Sequence, residues 1–239
     1  GRFVNVYSQT IIAPVVTTLL FYVVFALAFG GQDRTMGDVP FLTFLAPGLV
    51  MMTMAQNSFA NTSSSFIIAK VQGNIVDILL PPLSSFEIFI GFVVGGLLRG
   101  LCIGALGILV LSIFTDLQIR SYFVVILFTI LGNLMMGSLG IVAGLWADRF
   151  DHIAAFTNFV ITPLTFLSGT FYSIDILPPM WKRLAEYNPF FYMIDGFRSG
   201  FTGNSDGHML FGAAFLSVVT LVIMTITYVI IRSGYKIKA

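Results

Sequence analysis

ITPLTFLSGTFYSIDILPPMWKRLAEYNPFFYMIDGFRSGF (residues 161–201) begins inside an apolar span and stops short of a full crossing. It then runs through two short amphipathic pieces before a last apolar run opens near Met209. Pro178 and Pro179 open the first piece, which places Trp181, Leu184 and Tyr187 on one side and Lys182, Arg183 and Glu186 on the other. Asn188 and Pro189 break it. The second piece repeats apolar residues at Phe190, Met193, Ile194, Phe197 and Phe201, the spacing of one helical face. Asp195 and Arg198, three residues apart, are placed to pair on its polar face. Helices with aromatic residues and Met on one side lie at or dip into a membrane interface rather than crossing it. A long connection with structure of its own is usually functional, although an amphipathic cap on a bundle is the plainer reading.

Working outward, composition settles the class. Hydrophobic residues make up 57% of the 239 and charged residues only 10%, with a mean hydropathy of +0.94. A soluble domain carries ~25% charged residues. Six stretches reach the roughly 20 apolar residues that a bilayer requires: 11–29, 45–68, 88–114, 122–146, 153–172 and 209–231. The reading is an all-α polytopic membrane protein, a single domain over 1–239. It has six transmembrane helices, a short cytoplasmic helix after span two, and re-entrant external helices near 173–203.

An even number of spans puts both termini on one side. Arg2 at the start and Arg232, Lys236 and Lys238 at the end favour a cytoplasmic location for both, by the positive-inside rule. Acidic residues gather on the other side. The first span is longer than the apolar core of a signal peptide and lacks an Ala-x-Ala site, so it reads as a retained span. Cys102 is the one cysteine, so no intrachain disulfide forms.

The loop after span two holds a short helix over 72–80 that Asn74 can cap, with Asp77 near the positive end of its dipole. Ile75, Ile78 and Leu79 share one face, and Pro81 and Pro82 end it. Such a helix, exposed to the cytoplasm, is a shape for docking a partner protein. Ser84 and Glu87 then form a capping box for span three.

Span two is dense in polar residues, with Asn57, Asn61 and Ser64 or Ser65 stacked on one face. Span five offers Thr157, Asn158, Thr162, Thr165 and Ser168, with a kink expected at Pro163. Polar groups in hydrocarbon need partners. Interhelical hydrogen bonding explains both rows, and so does a translocation path lined by spans two and five. Gly96, Gly100 and Gly104 in span three, and Gly140 and Gly144 in span four, have the four-residue spacing that lets helices approach closely. Arg99, halfway along span three, requires a carboxylate or carbonyl oxygens, or a substrate group, as partner.

Enzymatic chemistry finds little support. The sequence has no G-x-x-x-x-G-K-[ST] phosphate loop and no H-E-x-x-H. His152 and His208 fall on opposite sides of the expected topology, which speaks against a metal site. Ser138 has no His partner on its span. Intramembrane carboxylates, usual in ion-coupled carriers, are not found well inside a span.

Several stretches in order carry a family resemblance: Leu167-Ser-Gly-Thr-Phe-Tyr-Ser173, Leu177-Pro-Pro179, Asn188-Pro189, Tyr192-Met-Ile-Asp-Gly-Phe-Arg198 and Asp77-Ile-Leu-Leu-Pro-Pro-Leu-Ser84. The chain resembles the transmembrane permease subunit of ABC-2 type ABC transporters, the group of drug, polysaccharide and lipo-oligosaccharide exporters. The resemblance implies a homodimer in a bacterial inner membrane, among membrane lipids and with no nucleic acid. Each copy would engage a separate P-loop ATPase that carries ATP and Mg, so this chain holds no cofactor and no metal. Ile75, Asp77, Ile78 and Leu79 would couple to that ATPase, together with an amphipathic helix before span one. Asn57, Asn61, Ser65, Asn158, Thr162 and Thr165 would line the substrate path. Phe171, Tyr172, Asn188, Asp195 and Arg198 would form the external gate. The cargo implied is amphipathic or lipid-like, a drug-like compound or a glycan.

Overall fold

The computed structural model describes residues 8–29, 35–73 and 83–234. Ile75, Asp77, Ile78 and Leu79, and with them the expected partner-docking helix, lie outside the described residues. A π-helical turn, Ser8–Ile12, leads into α1 (Ala13–Phe29). A two-residue hairpin, Thr35–Met36 against Val39–Pro40, precedes α2 (Phe41–Val71). Then come α3 (Ser85–Leu111) and α4 (Tyr122–Trp146). A continuous but irregular helix follows as α5 (Phe150–Phe156), a π-turn (Thr157–Ile161) and α6 (Thr162–Phe166). Two shorter helices, α7 (Pro179–Glu186) and α8 (Pro189–Thr202), lead to α9 (Met209–Ser233).

Among the described residues, Thr10–Phe29, Ser85–Leu111, Tyr122–Trp146 and Met209–Ser233 are long and apolar enough to cross a membrane. The two remaining expected spans depart from that simple picture, each for a physical reason. Helix α2 is the longest of all at 31 residues, but its run from Gln56 to Ser65 lowers its hydropathy. The fifth span ends six residues before the expected Tyr172. Gly169 there adopts a left-handed φ of 71°, which closes the helix. The irregularity expected at Pro163 takes the form of the π-turn just before it, whose wider backbone makes room for the proline ring. The capping box at Ser84 and Glu87 is present, with both reciprocal hydrogen bonds made.

Helix α2 is the centre of the bundle, packed on α4, α3, α8 and α1. Its close contacts require glycine on the facing helices. A Cβ on Gly140 of α4 would overlap Thr62 Oγ1 and the Phe59 carbonyl of α2. One on Gly100 of α3 would overlap Asn133 Oδ1 and come within 2.7 Å of Ser58 Oγ. The space so freed holds a buried polar knot between three helices. Ser58 Oγ lies 2.6 Å from Asn133 Oδ1 and 2.7 Å from the Gly96 carbonyl, and Asn133 Nδ2 donates to the Thr129 carbonyl at 2.7 Å. Every polar group there finds a partner, as a dry interior demands. The outer surface is apolar instead: Leu20, Val24 and Leu27 of α1, Leu98 and Leu109 of α3, and Leu221 and Val229 of α9 are exposed. A contiguous apolar surface of this extent suits lipid.

Candidate translocation surface

One face of α2 breaks that apolar surface. Gln56, Asn57, Asn61, Ser64 and Ser65 are half-buried, and Ala60 between them is exposed. They recur at three- and four-residue steps, so they form a single stripe along the outside of the chain. On one flank, the stripe meets the irregular helix. Gln56, Asn57, Ala60, Ser63 and Ser64 line a groove of about 360 Å³ with Ile153, Thr157, Ile161 and Thr162. On the other flank stands Arg99 of α3. Its Nη2 donates to Asn57 Oδ1 at 3.3 Å and its Nη1 to Asn61 Oδ1 at 3.4 Å.

The structure therefore brings Asn57 and Thr162 together around one groove, with Asn61 on the same stripe. Ser65 is on that stripe too, donating to the Asn61 carbonyl at 2.7 Å. Two residues of the expected path go elsewhere. Thr165 is buried and donates to the Ile161 carbonyl of its own helix at 2.7 Å, away from the groove. Asn158, within the π-turn, faces outward and is exposed. The π-turn holds one residue more than an α-turn, so the positions after it are rotated by about 100° and a simple helical wheel misplaces them. Arg99 finds amide oxygens rather than a carboxylate.

Of the five expected gate residues, Asp195 and Arg198 lie in α8 and Asn188 caps it, while Phe171 and Tyr172 pack on α1 and α6. The reading of α8 as a one-sided helix does not hold: every residue from Phe190 to Thr202 is buried, wedged against α4, α2 and α9. Its two charged side chains bond loop atoms rather than each other, and Arg198 Nε is left without a partner among the described residues. Arg198 Nη2 donates to the Gly169 carbonyl at 2.7 Å and the Thr170 carbonyl at 3.3 Å, and its guanidinium lies over the Phe44 ring at 3.6 Å. Asp195 accepts from Ser205 Oγ at 2.5 Å, Asp206 N at 3.0 Å and Gly207 N at 3.1 Å. Burial pulls the Arg198 guanidinium down to about 10, resisted by the charges of Asp195 and Asp206, so it stays a cation at neutral pH. Burial pushes the Asp195 carboxyl up, opposed by the Ser205 hydroxyl and the Arg198 charge.

Asn188 caps α8, accepting from Phe190 N at 3.1 Å, and ties it to the fifth span by donating to the Leu164 carbonyl at 2.7 Å. Phe171 stacks on Phe25 at 5.0 Å and on Phe166 at 5.6 Å, and the Tyr172 hydroxyl donates to the Phe166 carbonyl at 3.0 Å. Helix α7 keeps the expected two-sided character, with Trp181, Leu184 and Tyr187 exposed. Lys182, in an ion pair with Asp175 at 2.6 Å, is held above the usual lysine range by that carboxylate.

A helical membrane chain with this connection matches the family model for the ABC-2 type transporter over residues 2–202. The chain belongs to the ABC-2 type transporter family. It is 36% identical over 238 residues to the inner membrane transport permease YadH of Escherichia coli K12, covering 100% of this chain and 93% of that protein. The YadH of Shigella flexneri matches to the same extent. Nodulation protein J of Neorhizobium galegae is 26% identical over 172 residues, covering 70% of this chain and 64% of that one.

Within this ABC-2 chain, sequence reasoning passed over several residues of these sites. Phe44 and Gly48 of α2 shape the seat of Arg198, where a Cβ on Gly48 would lie 2.8 Å from Arg198 Nη2. Nothing in the spacing joins positions so far apart in the chain. Ser205, Asp206 and Gly207, which hold Asp195, did carry a signal, because Asn204-Ser-Asp-Gly207 is turn chemistry.

Proposed function

We propose that this chain is the membrane-spanning permease subunit of an ATP-driven exporter in a bacterial inner membrane. Two copies face each other, and each engages a separate P-loop ATPase that carries ATP and Mg. The observation that carries the reading is the half-buried polar stripe of α2 with its groove against the fifth span. Asn61 keeps an amide N–H that no described residue accepts, and the stripe around it stands where lipid offers no partner, so a second copy, or a wet path between two copies, is its natural neighbour. Both termini are cytoplasmic and the irregular fifth helix counts as a span, giving six. The 167–208 connection then closes the path on the outside. ATP binding and hydrolysis on the partner switch the pair between inward-open and outward-open states. The cargo is amphipathic or lipid-like, a drug-like compound or a glycan or glycolipid. The names of the relatives favour the inner membrane and transport.

Purification of the chain from its native host in mild detergent tests this. A P-loop ATPase at one-to-one stoichiometry, in a complex large enough for two of each, is the expected result. A lone chain, or a partner without nucleotide-binding motifs, overturns the reading in favour of a scaffold or an ion-coupled carrier.

A further inference from the structure

We infer that Arg99 is the counter-ion for an anionic group on the transported molecule, so that the cargo is an apolar molecule carrying one phosphate or carboxylate. This rests on the permease reading above and narrows its substrate class.

Arg99 lies near the middle of α3, a helix apolar enough to cross a membrane. A cation at that depth is costly and is normally paired. The sequence of α3 offers only Glu87 as an acid, twelve residues away, which is roughly 18 Å of helix. Helices α1, α2, α4 and α9 hold no Asp or Glu, and the fifth span has only Asp151 near its start. Among the described residues, the contacts that Arg99 makes are all to neutral oxygens and all long: 3.3 Å to Asn57, 3.4 Å to Asn61 and 3.5 Å to the Thr10 carbonyl. Good N–H···O bonds run at about 2.7–3.2 Å. Arg198 shows what a structural arginine looks like in this chain. It is 2% exposed, bonded at 2.7 Å, stacked on a ring and close to Asp195. Arg99 is half-buried, its Nε has no partner among the described residues, and it shares Asn57 with the groove.

The surroundings complete an anion seat. Asn57 Nδ2 is committed to the Thr53 carbonyl at 2.9 Å, which turns its oxygen toward the guanidinium. Asn61 accepts from Arg99 through Oδ1, and its Nδ2 has no hydrogen-bond partner among the described residues, so it remains to donate beside the guanidinium. A carboxylate or phosphate arriving along the stripe competes for a guanidinium whose bonds to Asn57 and Asn61 are long, beside the Asn61 amide N–H. The rest of the cargo faces apolar and weakly polar side chains.

Native mass spectrometry of the purified chain in an uncharged detergent tests this with three probes added separately: dodecyl phosphate, dodecanol and inorganic phosphate. Dodecyl phosphate is expected to occupy the wild-type chain at least about tenfold more than dodecanol, the size of one charge-assisted contact. Inorganic phosphate is expected to leave no adduct. Arg99→Gln should bring dodecyl phosphate down to the dodecanol level, and Arg99→Lys should retain part of the preference. Equal occupancy by dodecyl phosphate and dodecanol overturns the inference, as does an Arg99→Gln chain that binds dodecyl phosphate like wild type. Inorganic phosphate binding as well as dodecyl phosphate overturns the amphiphile assignment. The comparison of probes on the wild-type chain decides even where a variant fails to fold. No ATPase and no transport enter the measurement, so its failure leaves the permease reading to its own test.

Discussion

The guanidinium of Arg198 lies 3.6 Å above the ring of Phe44, and the same side chain donates to the Gly169 carbonyl at 2.7 Å. Helix α8 is thereby fastened to the start of α2 and to the turn that ends the fifth span. Arg198→Ala leaves the Gly169 and Thr170 carbonyls unpaired in a buried site and Asp195 without its neighbouring cation. A loss of about 3 kcal/mol is expected, read as a lowered unfolding midpoint in detergent. Lys182→Ala, which removes an exposed ion pair, is the control and should leave the midpoint in place.

The Gly140 contact sets how closely α4 approaches α2. Gly140→Ala drives a methyl into the Phe59 carbonyl, which cannot rotate away, and about 2 kcal/mol of destabilisation is expected. At Gly91 of α3 nothing lies within 4 Å of an added Cβ. Gly91→Ala should therefore be neutral or gain up to about 1 kcal/mol of helix propensity. Equal effects of the two substitutions in thermal melts would discredit the packing account.

Three asparagines separate transport from folding. Asn57→Leu and Asn61→Leu alter a half-buried stripe. Each should lower the melting point less than Asn133→Leu does while lowering transport at least roughly fivefold, the equivalent of about 1 kcal/mol. Asn133→Leu removes the partner of Ser58 in the buried knot and should lower the melting point itself. Full transport by the Asn57 and Asn61 variants would remove the stripe from the path.

Ile78→Asp and Leu79→Asp place a carboxylate on the apolar face of the expected coupling helix. Loss of the ATPase in a pull-down, with an unchanged elution profile of the permease, is the expected outcome. Retained ATPase would move the contact elsewhere.

Much of this architecture was legible in the residues. The fourth span runs from Tyr122 to Trp146 as its apolar length implies. The Ser84–Glu87 box starts α3, and the glycines at 100 and 140 mark close crossings. These signals are local or depend on one helix face. The fate of α8 was not legible, because its periodicity shows one apolar face while the partners of its polar face come from loops around 169 and 206. The split between Thr162 in the groove and Thr165 in the interior was hidden for another reason. A π-turn inserts a residue without leaving a compositional mark, and the helical wheel loses its phase there. Asn57 and Asn61 were readable as a face, but that Arg99 stands beside it depends on how α2 and α3 cross.

Helix α2 runs unbroken past all three regions: Gly48 beneath Arg198, Ser58 in the buried knot, and Lys70, whose Nζ donates to the Leu145 and Ala147 carbonyls where α4 ends. Between Gly48 and Lys70 it is a rod of roughly 33 Å, with Ser58 near its midpoint. Such a rod is a lever with a fulcrum. A tilt of about 5° around Ser58 carries its two ends by roughly 1.5 Å in opposite directions. Loosening the seat of Arg198 at one end of the rod then tightens or strains the Lys70 contact at the other, with no message passed through the side chains between them.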